Sequence, residues 1–214
     1  KDGQAAWSPT GERIAFVAKR EQQGKKDEAP QLYVIAPDGG EARRVSDYAP
    51  GIEAFKWFPD GRRIAFVSWV WPELKGSQAQ AKRHKEFKER KESGYATSEA
   101  QYRYWDHNVP MGRVAHLHVL DVASGRVTDL FEGSGLELSR AEPDANTFDI
   151  APDGKRIAFV HDAAAEKRMD NCRVLCELNL RTRRTETLVH DKGWDLEHPR
   201  YSPDGKRIAF VASH

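Results

Sequence analysis

The sequence predicts an all-β fold, a partial β-propeller built from four-stranded antiparallel blades. One phrase of twelve residues occurs four times, beginning at Trp7, Trp57, Ile150 and Tyr201. A second hairpin phrase lies between these copies, so that each unit carries four strands. Successive starts of the first phrase lie 50, 93 and 51 residues apart. A period of about 45–50 residues with four strands per unit is typical of a propeller blade.

Each copy of the first phrase predicts a tight turn followed by a buried strand. In SPDGKRIAFV, at 202–211, proline sets the first corner of a type I turn, and glycine takes the left-handed position after the aspartate. The strand that follows places Ile208 and Phe210 on one face and Ala209 and Val211 on the other. Because both faces are apolar, we expect the strand to lie buried between neighbouring blades.

The second phrase is a strand, a turn and a strand, and its three copies align without a gap. The copies cover 32–45, 117–130 and 175–188, and their turns fall at 38–40, 123–125 and 181–183.

Together the two phrases predict the domain organisation, with residues 1–214 forming one propeller fragment. The expected blades cover 13–58, 62–131 and 156–189, preceded by the end of one inner strand and followed by a half-blade at 197–214. About three blades with half-blades do not close a ring that typically needs about 4–8. The open sheet edges that would remain indicate that the chain is part of a larger protein.

The second unit is long because it carries an insertion over 70–113, which we predict to be mostly helical. Residues Ser77 to Ser93 are rich in helix formers and allow i,i+4 ion pairs such as Lys85–Glu89. Phe87 is nearly the only large apolar residue of this stretch, so we expect a solvated helix packed loosely on the rim. Glutamates interrupt its basic run, which argues against a helix that recognises nucleic acid.

The insertion and an enlarged loop at 131–147 are expected on the same face of the propeller. Turns alternate between the two ends of antiparallel strands, which places both segments opposite the PDG turns. Long loops on a rigid scaffold are where binding and catalysis are usually found.

The segment YRYWDHN, at 102–108 of the insertion, combines aromatic and charged residues and is the candidate site. The alternative is that its aromatic residues only anchor the loop to the propeller. The residues expected to face a substrate or a neighbouring domain are Arg103, Trp105, Asp106 and His107.

Motifs of catalytic and metal centres are absent from the sequence. It contains no GxSxG, HExxH, CxxC or phosphate-binding glycine loop. His116 and His118 share a strand face without a third ligand in register, which favours a structural pair over a metal site. Cys172 and Cys176 would lie about 13 Å apart on one strand face, too far for a mutual disulfide. We predict no catalytic residue, no metal and no cofactor in this chain.

Composition limits the partners but leaves the compartment open between cytoplasm and periplasm. Of the 214 residues 39% are hydrophobic and 31% are charged, and the formal net charge is +1. This balance favours neither nucleic acid nor an acidic membrane surface. No apolar run approaches the roughly 20 residues that a membrane-spanning helix needs. We expect no nucleic acid and no membrane among the partners.

The repeated phrases resemble the propeller repeat of TolB-type proteins. The stretch YRYWDHNVPMGRVAHLHVLDVASGRVTDL, at 102–130, is similar to the propeller of bacterial peptidases in the prolyl oligopeptidase family, of the dipeptidyl-aminopeptidase and acylaminoacyl-peptidase type. Those proteins share an aromatic-Arg-aromatic-Trp-Asp segment shortly before an HL-V-DV-tG hairpin. The resemblance covers most of the chain and is least over 72–100.

The resemblance implies a function for the fragment. In that family the propeller precedes an α/β-hydrolase domain with a Ser-Asp-His triad, and it caps the active site so that only peptides or small blocked peptides enter. The chain would then be the substrate-access part of a serine peptidase, with the hydrolase domain and peptide substrates as its partners and the triad outside it. Some members hold the free amino terminus of the substrate with a glutamate pair, but no adjacent Glu-Glu occurs here.

Two other functions remain open from the sequence. One is a non-catalytic TolB-like propeller that binds a protein partner through its elaborated face. The other is a propeller attached to a different hydrolase, such as an amidohydrolase.

Overall fold

The computed structural model describes residues 3–22, 24–92, 94–104, 107–108, 111–163 and 165–214, with the backbone alone at Lys25, Tyr104, His107 and Asn108. Three four-stranded antiparallel sheets and a two-stranded one follow each other along the chain. The predicted all-β class is confirmed, with one helix in the described residues.

The three blades and the half-blade are each formed by consecutive strands. Blade 1 contains β1 (Gly3–Trp7), β2 (Ile14–Ala18), the ribbon strands β3 (Glu21–Gln22) and β4 (Lys25–Lys26), β5 (Gln31–Ala36) and β6 (Gly39–Arg44). Blade 2 contains β7 (Ala54–Trp57), β8 (Arg63–Val70), the inserted helix α1 (Gly76–Glu89), the ribbon strands β9 (Arg103–Tyr104) and β10 (His107–Asn108), β11 (Val114–Asp121) and β12 (Val127–Asp129). Blade 3 contains β13 (Phe148–Ile150), β14 (Arg156–Asp162), β15 (Arg173–Asn179) and β16 (Thr185–Val189), and the half-blade contains β17 (Asp195–Tyr201) and β18 (Ile208–Ser213).

The hydrogen-bonded sheets begin one strand earlier than the predicted blades at 13–58, 62–131 and 156–189. The strand before each PDG-type turn pairs with the strand after it, as in Trp57 with Ile64 and Ile150 with Ile157. Blade 1 is therefore a complete sheet, with order β1-β2-β5-β6, rather than a sheet that takes its last strand from 54–57. The half-blade likewise begins at Asp195 and not at residue 197. A tight turn joins its own two flanking strands, and for this reason the turn marks a hairpin and not a blade boundary.

The four PDG-type turns have the same backbone geometry. Their glycines lie in the left-handed region, with φ of 73°, 61°, 65° and 67° at Gly11, Gly61, Gly154 and Gly205. In the first turn the Gly11 N–H donates to the Ser8 carbonyl over 2.9 Å, and the other three repeat this bond at 2.8–3.0 Å. Only glycine adopts this conformation without steric cost, which explains the repeated residue.

In blade 2, the strand after the PDG-type turn packs on two neighbouring blades at once. In blade 2, Ile64 and Phe66 face blade 1 in one hydrophobic cluster. Ala65 and Val67 of the same strand face blade 3 in another cluster, where they meet Phe159 and its neighbours. The side chains of these four residues are all 0% exposed. Because successive side chains of a strand point to opposite faces of the sheet, this one strand contributes to both interfaces of the blade.

The first strands of neighbouring blades are linked to each other by polar side chains. Lys56 Nζ of β7 donates to the Phe148 carbonyl at 2.6 Å and to Asp149 Oδ1 at 2.9 Å. The Tyr201 N–H of β17 donates to Asp149 Oδ2 at 2.9 Å. These bonds place the first strand of each blade beside that of the next blade, as around a propeller axis.

Helix α1 lies within the predicted insertion but is tied to blade 2 more firmly than its sequence indicates. The buried Gln80 amide accepts from the Trp71 N–H at 3.0 Å and donates to the Trp71 carbonyl at 2.8 Å. Phe87 meets the Trp71 ring edge-on, with ring centres 5.4 Å apart. The predicted Lys85–Glu89 contact is present at 3.9 Å. No helix in the described part of the chain is long and apolar enough to span a membrane.

Candidate functional site

The two ends of the blades differ in the length of their connections. We call the end with the PDG-type and second-hairpin turns the turn face. The opposite end, the loop face, carries the insertion 70–113, the loop 131–147 and the connection 163–172. On the turn face, the PDG-type hairpins are closed by loops of five or six residues. On the loop face, the connections come from three parts of the chain and contact one another.

The predicted site residues are placed only in part. Arg103 lies in β9, is exposed, and lines a groove on the loop face. Trp105 and Asp106 lie outside the described residues. His107 belongs to β10, where its backbone pairs with that of Tyr104. Only its backbone is among the described parts of the chain.

The predicted proximity of the insertion and loop 131–147 is observed in the structure. Arg140 of that loop donates from Nη1 to Glu99 Oε2 of the insertion at 3.0 Å. Next to it, the Ala100 N–H donates to the Glu166 carbonyl of the connection 163–172 at 2.9 Å. Three segments distant in sequence thus meet at one point of the loop face.

Arg140 is held by a second, buried carboxylate. Its Nε and Nη2 donate to the two oxygens of Glu137 at 3.0 and 3.1 Å, and its side chain is 5% exposed. Burial raises the pKa of the Glu137 carboxyl, while the bonds from Arg140 oppose that rise. A two-pronged guanidinium–carboxylate pair of this kind fixes the orientation of both groups.

A groove runs along the loop face beside this junction, between loop 131–147 and the start of β17. It consists of two clefts that share Ala141 and Asn171 in their walls. Charged side chains lining the clefts are Arg103, Glu142, Asp144, Asp170, Arg173, Asp195 and Glu197.

Arg173 lines the first cleft and is neutralised by two carboxylates of β17, of which Glu197 lines the same cleft and Asp195 the second. Its Nε donates to Asp195 Oδ1 at 2.9 Å, and its Nη2 contacts both Asp195 Oδ2 and Glu197. Burial would raise the pKa of Asp195, but the hydrogen bonds and charge of Arg173 outweigh it and hold this pKa below its usual range. The groove therefore has a fixed, charge-paired wall.

Apolar side chains lie beside these polar groups. Met169 lines the second cleft and is 70% exposed, and Tyr102 next to the lining residue Gln101 is 50% exposed. Exposed apolar groups alongside fixed donors and acceptors are suited to binding an extended ligand with both kinds of surface, such as a peptide.

The side chains of the histidine pair are buried in a hydrogen-bond network, and His118 also lines a cleft together with Glu132 and Arg183. His116 Nδ1 donates to Asp129 Oδ2 at 2.8 Å. His118 Nδ1 faces the His116 carbonyl at 3.2 Å, so its Nε2 accepts from the Tyr48 hydroxyl at 3.0 Å. Burial lowers the pKa of His118 to about 4, which keeps the ring neutral. Among the described residues, no three His, Cys, Asp or Glu side chains are placed to hold a metal ion.

Sequence reasoning identified loop 131–147 but not the residues that organise it. Arg140, Glu137 and Arg173 lie in no repeated phrase, and their partners are up to 41 residues away. The one local signal is the i,i+3 spacing of Glu137 and Arg140. Both cysteines are free, with Cys176 buried and Cys172 partly so.

Comparison with known proteins identifies the relatives of the chain. No protein-family model matches the sequence. Dipeptidyl-peptidase 5 of Porphyromonas endodontalis is 30% identical over an alignment that covers 96% of this chain. The chain is homologous to this peptidase. It spans 29% of the length of that relative.

The solved structures similar to the chain contain the same fold. Acylaminoacyl peptidase of Pyrococcus horikoshii aligns with 98% of this chain and 27% of its own, at a TM-score of 0.60 and 15% identity. TolB of Acinetobacter baumannii aligns with 99% of this chain and 37% of its own, at a TM-score of 0.55 and 15% identity. These structures show the fold, a TolB-like propeller portion. Together with the 30% identity to dipeptidyl-peptidase 5 they confirm the resemblance to the propeller of prolyl oligopeptidase-type peptidases.

Proposed function

We propose that this chain is the substrate-access portion of a serine peptidase, and that its loop face controls which peptides reach the active site. The observation that carries the proposal is the homology to dipeptidyl-peptidase 5 over nearly the whole chain. The loop face supports it, because the insertion, loop 131–147 and the connection 163–172 converge there beside a groove with polar and apolar walls.

We place the catalytic groups outside this chain. Its relative is more than three times as long, so a complete α/β-hydrolase domain can lie in the remainder. A nucleophilic serine needs a base within hydrogen-bonding reach and a third group that orients the base. The buried His116 is oriented by Asp129, but its ring packs against Phe131 with centres 5.8 Å apart. We expect the chain by itself not to hydrolyse peptide amides.

Ala141 offers a direct test of the groove as the peptide route, because it lines both clefts. In the full-length protein, Ala141→Trp should narrow the groove and lower kcat/KM for long peptides about tenfold. Hydrolysis of a chromogenic dipeptide amide should change little, since a small substrate needs less of the opening. A tenfold effect corresponds to about 1.4 kcal/mol in the transition-state free energy.

The matched control is Ala123→Trp, which adds the same bulk to an exposed position on the turn face. This control variant should leave kcat/KM unchanged for both the long peptides and the dipeptide amide. Equal losses for long and short substrates in Ala141→Trp, or no loss for either, would contradict the access role. A full-length protein that hydrolyses no peptide amide and resists serine-directed phosphonates would instead contradict the peptidase assignment.

A further inference from the structure

Arg140 connects two carboxylates that differ in how firmly they are held. The bond pair to Glu137 is made within one loop, and the Glu137 side chain is 9% exposed. The bond to Glu99 is single, joins two segments, and leaves the Glu99 side chain 31% exposed. When the contact to Glu99 breaks, Arg140 therefore remains neutralised by Glu137, and no unpaired charge is left buried.

Residues directly after Glu99 form part of the groove wall. Gln101 and Arg103 line the second cleft, and Gln101 is 9% exposed. The Ala100 N–H is bonded to the Glu166 carbonyl on the other side of the same segment. The position of Glu99 thus sets the position of this part of the wall, and Ala141 of the Arg140 loop lines the same cleft.

We propose that the Glu99–Arg140 pair is a latch, which holds segment 99–103 against loop 131–147 and thereby sets the width of the groove. Glu99 and Arg140 are positioning residues in this assignment, acting through the wall residues rather than on the substrate. The proposal rests on the proposed function for its effect on peptides, whereas the latch itself is a property of this chain alone.

Charge around the latch makes it easy to open. Arg140 faces Glu99 and Glu137 directly, and the carboxylate of Glu166 acts on it from the neighbouring connection. Lys167 Nζ lies 3.6 Å from Glu166 Oε1 and pairs with it, so Glu99 and Glu137 share Arg140 as their cation. These two carboxylates repel each other while Arg140 attracts both. A partly exposed pair of this kind is weak and is screened by salt.

The test is Glu99→Gln, which keeps the shape of the side chain and removes its charge, with exchange of the Ala100 amide hydrogen as the readout. We expect exchange to accelerate about fivefold, the size expected for loss of one partly exposed ion pair. Raising the salt concentration should accelerate exchange in the unmodified chain but not in this variant. Glu99→Asp, which retains the charge, should stay closer to the unmodified chain.

The control is Glu92→Gln, the same substitution at an exposed position of the same insertion. It should leave Ala100 exchange unchanged. In the full-length protein, Glu99→Gln should raise the ratio of kcat/KM for long peptides to that for a dipeptide amide about fivefold, while Glu92→Gln leaves the ratio constant.

The outcomes separate the latch from the proposed function. Unchanged exchange at Ala100 in Glu99→Gln would overturn the latch whatever the kinetics show. Faster exchange with an unchanged peptide-length ratio would overturn its control of the groove. Faster exchange in a protein that cleaves no peptide would support the latch and count against the peptidase assignment instead.

Discussion

The turn face and the loop face are stabilised in different ways. On the turn face, one hairpin turn recurs four times, and each copy is closed by bonds between residues three to five positions apart, such as Gly11 to Ser8 and Ser8 to Arg13. On the loop face, the connections have different lengths and are held by side-chain bonds that span 9 to 41 residues, such as Gln80 to Trp71 and Arg140 to Glu99. The repeated phrase builds a scaffold, and individual buried polar groups build the surface that distinguishes this propeller.

The largest expected effect compares one position in two copies of the repeated strand. Phe159 and Phe210 occupy the same place in the phrase, but Phe159 is 0% exposed and Phe210 is 38% exposed. Phe159→Ala should lower the free energy of unfolding by about 4 kcal/mol, because it leaves a cavity against Phe131. Phe210→Ala should cost about 1 kcal/mol or less. Chemical denaturation measures both losses. Equal losses would mean that the local sequence of the repeat, and not the surrounding blades, determines how much this position contributes to the free energy of unfolding.

Removing the central cation tests whether buried charge stabilises the loop face. Arg140→Met should cost about 3 kcal/mol at neutral pH, because Glu137 is left buried without its partner. The loss should shrink as the pH falls, since Glu137 then becomes neutral by protonation. Denaturation at pH 7 and pH 4.5 checks this. A loss that does not depend on pH would show that Arg140 acts through packing.

A titratable group within the scaffold gives a third effect, which depends on pH. Burial lowers the pKa of His118 from 6.5 to about 4. The neutral His118 ring makes its full contribution to the free energy of unfolding above pH 6.5. This contribution is lost as the pH falls towards 4, because the unfolded chain then binds a proton that the folded chain excludes. The loss approaches about 3 kcal/mol.

His118→Gln should reduce this dependence, since the amide oxygen can still accept from Tyr48 but does not titrate in this range. The control is His190→Gln at an exposed position, which should leave the pH dependence as it is. Unfolding free energies measured from pH 7 to pH 4 compare the two. An unchanged slope in His118→Gln would contradict the neutral, buried state of this ring.

The smallest expected effect concerns the second-hairpin turns. Gly125 and Arg183 occupy equivalent positions and both have left-handed backbones, with φ of 71° and 60°. Gly125→Ala should lower the unfolding free energy by about 1 kcal/mol through backbone strain. Arg183→Gly should raise it by less than about 1 kcal/mol, because relief of strain is offset by loss of the Arg183 bond to the Asp129 carbonyl.

Thermal denaturation of both variants measures the sign and size of these changes. A loss of stability in Arg183→Gly would mean that the bond to the neighbouring blade outweighs the strain at this position.

Strands and turns were predictable because their signals are local, whereas the site was predictable only in outline. The PDG turns and the alternation of Ile64, Ala65, Phe66 and Val67 are written in consecutive residues. The position of loop 131–147 beside the insertion follows from strand alternation. The blade bounds were misjudged by one strand, because the hairpin turn joins strands of one sheet and the phrase begins before it.

The anchoring of helix α1 had no reliable signal in the sequence. Gln80 reads as one of many polar helix residues, yet it is 3% exposed and bonded to the backbone of Trp71. The charge cluster around Arg140 could not be predicted from the sequence either. Pairs between distant segments leave no periodic pattern, and charged residues in loops are usually solvated.

By itself, the sequence determined the all-β class, the four-strand unit, the turn geometry and the face on which the long loops emerge. These follow from backbone sterics at glycine and proline and from the period of two in a strand. Tertiary structure alone decided that Phe159 is buried while Phe210 is not, and that Glu99 meets Arg140. The physical reason is that burial and ion pairing depend on which surfaces the folded blades bring together, and identical local sequences can meet different neighbours.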